Sequence, residues 1–193
     1  VQELQRLLAP AQAGQPIVAV PGAGTNVPIW LLGSSLFSAQ LAAHLGLPYA
    51  FASHFAPRML HQALAIYRQT FKPSAALAKP YAIVGVPVIA APTDAEAQFL
   101  ASSTYQRVLG ILTGNRTRLQ PPVEGFMEQV SERERAAIAD FLAVGIIGGP
   151  QTVRAGLQAL AQATQADEFM LVSDVFDADL RLRSLQLTAQ AMV

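Results

Sequence analysis

The segment PIWLLGSSLFSAQLAAHLGLPYAFASHF, residues 28–55, limits what this chain can fold into more than any other stretch. It reads as strand, turn, helix, break, strand. Residues 29–32 are an apolar run of strand length, as in a parallel strand buried on both faces. Gly33 permits a sharp turn. Ser34 or Ser35 can cap the next helix with a side-chain oxygen. Leu36, Leu41, Ala42 and Leu45 recur at helical spacing until Gly46 and Pro48 end the helix. Such a strand-to-helix turn aims free backbone N–H groups and the positive end of a helix dipole at one point, which suits a phosphate. Ser35 and Ser38 stand one turn apart, so their hydroxyls can converge there with the N–H groups of Ser35 and Leu36. The same serines serve equally well as a plain helix cap.

The alternation continues downstream. Residues 49–53 read as a second strand, followed by a helix that Pro57 opens and that runs to about Phe71, with Met59, Leu60, Ala63, Leu64 and Tyr67 on its apolar face. Residues 81–91 form a third strand. Pro87 inside it predicts a bulge or a strand end, because proline cannot donate to a ladder. Helices over residues 93–112 and 131–144 open on TDAE and SERE, both capping-box patterns, and residues 113–130 between them read as a surface loop. Gly148, Gly149 and Pro150 break the chain before a helix over 151–164, then a fourth strand over 168–172 and a last helix over 177–190. A helix end is expected at residues 1–9, and a short strand at 17–20 within a loop rich in Gly, Pro and Ala. Four strands, each followed by helix, predict right-handed parallel β–α units. They form either half of an eight-stranded barrel or an open doubly wound sheet.

Composition narrows the partners. A chain of 193 residues can bury the core of one domain. Although 52% of its residues are hydrophobic, no apolar run is long enough to span a bilayer, and no signal peptide is visible. Thirteen basic and thirteen acidic residues cancel without a basic, aromatic-laced patch, so neither nucleic acid nor a membrane is an expected partner. The absence of cysteine removes disulfides, thiol nucleophiles and thiolate metal sites, and three scattered histidines make a poor metal site. A cytoplasmic location fits this composition.

In β–α architectures the working face lies at the C-terminal ends of the strands. That rule selects Gly33, Ser34 and Ser35, then Ser53 and His54, then residues 91–93, then Ser173 and Asp174. His54 could act as a general acid or base, or bond a backbone carbonyl and shape the mouth of the site. His44 and His61 fall on helices as surface or packing residues, and Asp174 with Asp177 is suited to capping the last helix. Gly148–Pro150 lacks the Lys and Ser/Thr of a phosphate loop, the Gly22–Gly24 triplet is too short for a dinucleotide fingerprint, and no Gly-x-Ser-x-Gly elbow supports a hydrolase.

The run WLLGSSLFSAQLAAHLGLPYAFASHFAP, residues 30–57, resembles without a gap the corresponding part of the bacterial-luciferase-like flavin monooxygenase family. Weaker likeness follows in KPYAIVGVPVIAAPTDAEAQFL, VGIIGGPQTVRAGLQAL and ADEFMLVSDVFDADLRLRSLQL, in the family order. The resemblance implies a (β/α)8 TIM barrel of which this chain, as a single domain, supplies strands five to eight, the N-terminal strands being absent from it. A half-barrel normally packed against its other half would also read as unusually apolar. The implied activity is oxidation of an organic small molecule with O2 and reduced FMN, the flavin coming from a separate reductase or being reduced by a nicotinamide. The implied phosphate site is Gly33, Ser34, Ser35, Leu36 and Ser38, with Ser35 on a family serine and Ser38 on a family threonine. Luciferases proper carry an acidic residue at the position of Ser34, and its loss favours an anion. The family usually adds an arginine from the N-terminal half. Ser53 would lie at the flavin, with His54 beside its ring as the catalytic group, and Asp174 could reach a ribityl hydroxyl or the substrate. A homo-oligomer is expected. Two other readings stay open: a flavin-binding protein without catalysis, as among shortened family members, and a structural fragment that needs its N-terminal half.

Overall fold

The computed structural model of the chain describes residues 1–192. Helix α1 (Gln2–Leu8) and a long loop lead into β1 (Leu31–Gly33), α2 (Leu36–Leu45) and β2 (Tyr49–Phe51). A 3-10 turn (Pro57–Met59) then opens α3 (Leu60–Thr70). After β3 (Ala82–Ala90) come α4 (Asp94–Leu112), the short α5 (Phe126–Gln129) and α6 (Glu132–Phe141). Strand β4 (Ile146–Gly148), α7 (Pro150–Thr164), β5 (Glu168–Val172) and α8 (Ala178–Ala191) complete the chain. The architecture is α/β with a parallel sheet, as the alternation predicted.

The sheet has 5 strands, one more than the sequence suggested. β1 pairs with β2, and β2 with the first residues of β3. β5 runs beside β3 from Ile83 to Pro87 on one edge, and β4 pairs with Val88 to Ala90 on the edge that β2 uses lower down. Pro87 therefore needs no bulge and ends no strand. By the alternation of the strand its nitrogen points to the edge shared by β2 and β4, in the gap between the end of the β2 pairing at Val84 and the start of the β4 pairing at Val88, so no ladder hydrogen bond is lost. The expected strand at residues 17–20 is not formed, and that segment is mostly exposed. The 113–130 loop contains α5.

Cross-strand register sorts the side chains. Leu31, Tyr49, Phe51, Val84, Val86, Val88 and Phe169 turn toward α2, α3, α7 and α8 and build the main core. On α3, Leu60, Ala63, Leu64 and Tyr67 are buried at the predicted spacing, whereas Met59 lies outside the helix and is exposed. Small Ala39, Ala42 and Ala43 let α2 pack closely against this core. A second cluster gathers Ile89 with α4 and α6 around Leu100, Tyr105, Val108 and Ile138. The sheet face that carries Leu32, Ala50, Ile83 and Met170 is only partly covered: Leu32 is 69% exposed and Met170 55%.

The Tyr67 hydroxyl ties the connections between these layers. It donates to the Leu47 carbonyl (2.9 Å) and accepts from the Tyr81 N–H (3.1 Å). Tyr67→Phe keeps the ring but strands both backbone groups. It is expected to cost about 1–3 kcal/mol of stability, read by chemical or thermal denaturation.

Candidate functional site

The turn from β1 into α2 is held by a capping box. Ser35 Oγ accepts from the Ser38 N–H (3.2 Å), and Ser38 Oγ accepts from the Ser35 N–H (3.3 Å). The Ser38 hydroxyl donates to the Ser35 carbonyl (2.7 Å) and stands 3.0 Å from the Tyr49 hydroxyl. A side chain at residue 33 would collide with Ser38, so Gly33 is required by close approach. Ser38 thus spends its only proton inside the turn and shapes it without facing outward. The first-turn amides of Leu36 and Phe37 have no intrahelical acceptor. They form a donor pair that suits a phosphate-sized anion, and the exposed Ser35 hydroxyl, which here donates to Ser38 Oγ over a long 3.3 Å, can join them only by rotating its proton outward. Ser34, half-buried, opens onto a hollow of about 610 Å3 that Phe55, Arg58, Asp140 and Phe141 also line. Arg58 and Asp140 bridge across it at 2.7 Å.

At the end of β2, Ser53 is fully buried and donates to the Gly85 carbonyl at 2.6 Å. Its hydroxyl fastens β2 to β3 and does not reach a ligand surface. His54 lies over Gly85, where an added Cβ would stand 2.5 Å from Nδ1. Nδ1 is buried without a hydrogen-bond partner, which leaves Nε2 as the accessible ring nitrogen. Phe55 meets the imidazole edge-on with centroids 4.7 Å apart.

Beyond β5 the two aspartates divide. Asp177 caps α8 by accepting from the N–H groups of Asp179 and Leu180, as the sequence suggested. Asp174 does no capping. It forms an ion pair with Arg107 of α4, while Thr104 Oγ1 donates to its carbonyl at 3.3 Å. Ser173 Oγ is buried without a partner. Of residues 91–93, Thr93 caps α4 by accepting from the Glu96 N–H. The Gly148–Pro150 break is already occupied by an anion: Asp94 accepts from the Gly149 N–H (2.6 Å) and the Thr152 hydroxyl (2.8 Å), which hold its carboxyl below the usual range.

Burial lowers the His54 pKa below the ordinary 6.5, Asp174 pulls it up, and Arg107 pushes it down. Neutral imidazole is therefore the resting form near pH 7. Sequence reasoning overlooked Arg107 and Arg116. Both line a second hollow of about 460 Å3 that shares Phe55 and Phe141 with the first. A four-residue offset placing Arg107 and Ile111 on one helical face was the only local signal. Among the described residues no cluster suits a metal ion, and no helix is long and apolar enough to cross a membrane.

A parallel β/α fold with its polar groups gathered at the C-terminal strand ends defines a broad class of ligand-binding and catalytic domains. Comparison narrows it: residues 5–167 match the family model for luciferase-like monooxygenases, and the chain belongs to that family. A luciferase-like monooxygenase of Escherichia coli (strain K12) is 48% identical over 168 residues, 87% of this chain and 50% of the relative. The crystal structure of apo-MsnO8 superposes with a TM-score of 0.78 at 32% identity, over 98% of this chain and 57% of that one. A type II Baeyer–Villiger monooxygenase from Pseudomonas putida, the oxygenating constituent of 3,6-diketocamphane monooxygenase solved with FMN, shares the fold. Its TM-score is 0.57 at 17% identity, over 94% of this chain and 54% of that one. The chain thus spans about half the length of the relatives it matches, from 50% to 57% in these three.

Replacing Asp174 by Asn removes the group that raises the His54 pKa. The His54 titration, followed by NMR of its ring protons, is expected to begin below 6.5 in the parent protein and to fall further in the variant. Because the folded value is depressed, His54 opposes folding as pH drops from 6.5 through that lower value, and His54→Asn is expected to blunt this part of the acid sensitivity.

Proposed function

We propose that this chain is the flavin-phosphate-binding part of an FMN-dependent monooxygenase that oxidises an organic small molecule, and that its sheet is the C-terminal half of a (β/α)8 barrel. One observation carries the cofactor reading: the open first turn of α2 borders, through Ser34, the same hollow as Phe55, whose ring abuts His54. The phosphate corner and the titratable group then meet on either side of Phe55. The hollow of about 610 Å3 falls within the range of about 300–1,000 Å3 usual for small-molecule sites.

Ser35 Oγ and the N–H groups of Leu36 and Phe37 would hold the phosphate, with Ser34 at its margin and Gly33 and Ser38 fixing the turn. The dipole and amides of one helix contribute about 0.3–2 kcal/mol toward an anion, so further contacts from the rest of the barrel are part of the proposal. When bound, the reduced flavin supplies the oxygen and electron chemistry. His54, neutral and accessible at Nε2, would accept a proton from substrate or orient it. Phe55 and Phe141 would give the groove an apolar wall against the flavin or the substrate. A separate reductase or a reduced nicotinamide would provide the electrons. The half-barrel reading is supported by the exposed Leu32 and Met170, which would face the remaining strands.

Ser35→Glu puts a carboxylate where the phosphate would sit. Fluorescence titration is expected to show FMN affinity falling at least about tenfold, roughly 1.4 kcal/mol, with riboflavin unaffected. Equal FMN affinity in parent and variant would remove the phosphate site. Flavin binding without O2 uptake in the presence of reduced FMN would leave a flavin-binding protein in place of an oxygenase. The chain by itself is expected to self-associate through its uncovered sheet face in analytical ultracentrifugation, and a monodisperse monomer would count against the half-barrel.

A further inference from the structure

The hollow of about 460 Å3 bounded by Phe55, Arg107, Ile111, Arg116, Thr117 and Phe141 has a chemistry of its own. Its walls are apolar and aromatic, yet two guanidinium groups line it. Arg107 is ion-paired to Asp174 through Nη2, while its Nε is buried without a partner. Arg116 forms no ion pair among the described residues. Asp174 balances Arg107 alone, no carboxylate among the described residues lines the hollow, and the Arg116 charge is left uncompensated.

The position of Arg116 is built, not incidental. The chain leaves α4 and folds straight back on it: an added Cβ at Gly110 would stand 2.7 Å from the Asn115 carbonyl oxygen. That approach, open only to glycine, brings residue 116 to the same hollow as Arg107 and Ile111 on the preceding helix. Farther along, Gln106 Nε2 donates to the Pro121 carbonyl at 2.9 Å and ties the loop down again. Ser34 does not line this hollow; it lines the adjoining one, which Phe55 and Phe141 separate from it. Phosphate corner and arginine pair thus lie at opposite ends of one groove with aromatic residues between them.

We propose that the Phe55–Phe141 hollow is the substrate subsite and that Arg107 and Arg116 select an organic carboxylate with an apolar or aromatic body. This rests on the reading that places the flavin phosphate at the Ser34–Ser35 corner. The guanidinium fork matches a carboxylate with two parallel hydrogen bonds. The Phe55 and Phe141 rings take the body, and the exposed guanidinium of Arg116 faces the carboxylate.

The probes are 2-naphthoate and its neutral counterpart 2-naphthalenemethanol, titrated by calorimetry into the parent protein and into Arg116→Gln and Arg116→Lys. The parent is expected to prefer the acid by about tenfold, Arg116→Gln to lose that preference while holding the alcohol unchanged, and Arg116→Lys to keep part of it. Equal binding of acid and alcohol by the parent, or equal weakening of both in Arg116→Gln, overturns the proposal. So does a loss of FMN affinity in Arg116→Gln with riboflavin unaffected, because Arg116 would then grip the flavin phosphate. Acid preference that persists while Ser35→Glu leaves FMN affinity untouched sinks the phosphate reading and sustains the carboxylate subsite.

Discussion

Strand β3 must satisfy three parallel neighbours along nine residues, and the rest of the molecule is arranged around that demand. Its valines 84, 86 and 88 all turn to the helices, so its register is fixed by burial: a slip of one residue would put each of them on the opposite face. The alternate positions then belong to the other face, and there Gly85 presents no side chain. His54 fills that gap. Ser53, one residue earlier, anchors to the Gly85 carbonyl, so the same backbone unit that completes the sheet sets the depth of the imidazole. Fold and site meet at one glycine.

The elements legible from sequence were those whose signal is local. β5 was read with its observed bounds, because a short apolar run between polar neighbours has no competing interpretation. The caps at Ser35, Thr93, Ser131 and Asp177 were legible because each bond closes within three residues. β4 was missed because two isoleucines before two glycines and a proline look like a loop; only the free edge at the end of β3 makes Ile146–Gly148 a strand. Pro87 misled for the same reason: its tolerance depends on which partner is adjacent, and the chain does not encode that locally.

The site was legible in position and not in detail. The strand-end rule selected the β1–α2 turn, His54 and Asp174 as candidates, and the structure places each at the end of its strand. It also selected Ser53, and spacing to Ser35 selected Ser38; their hydroxyls turn inward to a backbone carbonyl and to a helix cap. A serine near a strand end can serve a ligand or the adjacent backbone, and residue type does not distinguish the two. The Arg107–Asp174 pair spans 67 positions and the Asp94 cap of α7 spans 55, so neither leaves a mark in spacing. Asp94 shows how a glycine-rich break that looks ready for phosphate is filled by the protein's own carboxylate.

The charges near His54 act in opposite directions. Arg107 opposes protonation and Asp174 favours it, and because they are paired with each other their fields largely offset at the imidazole. Burial is left as the dominant influence, and it keeps the ring neutral. The uncompensated charge of the hollow resides at Arg116, which is not among the charges that shift His54. An anionic substrate drawn to that arginine does not need to meet a charged histidine on the way. If Asp174 were absent, Arg107 would contribute its full charge, the pull on an anion would grow, and His54 would become a weaker base. On the proposed reading, the ion pair would separate two tasks, attracting a carboxylate and accepting a proton, that a single positive patch would set against each other.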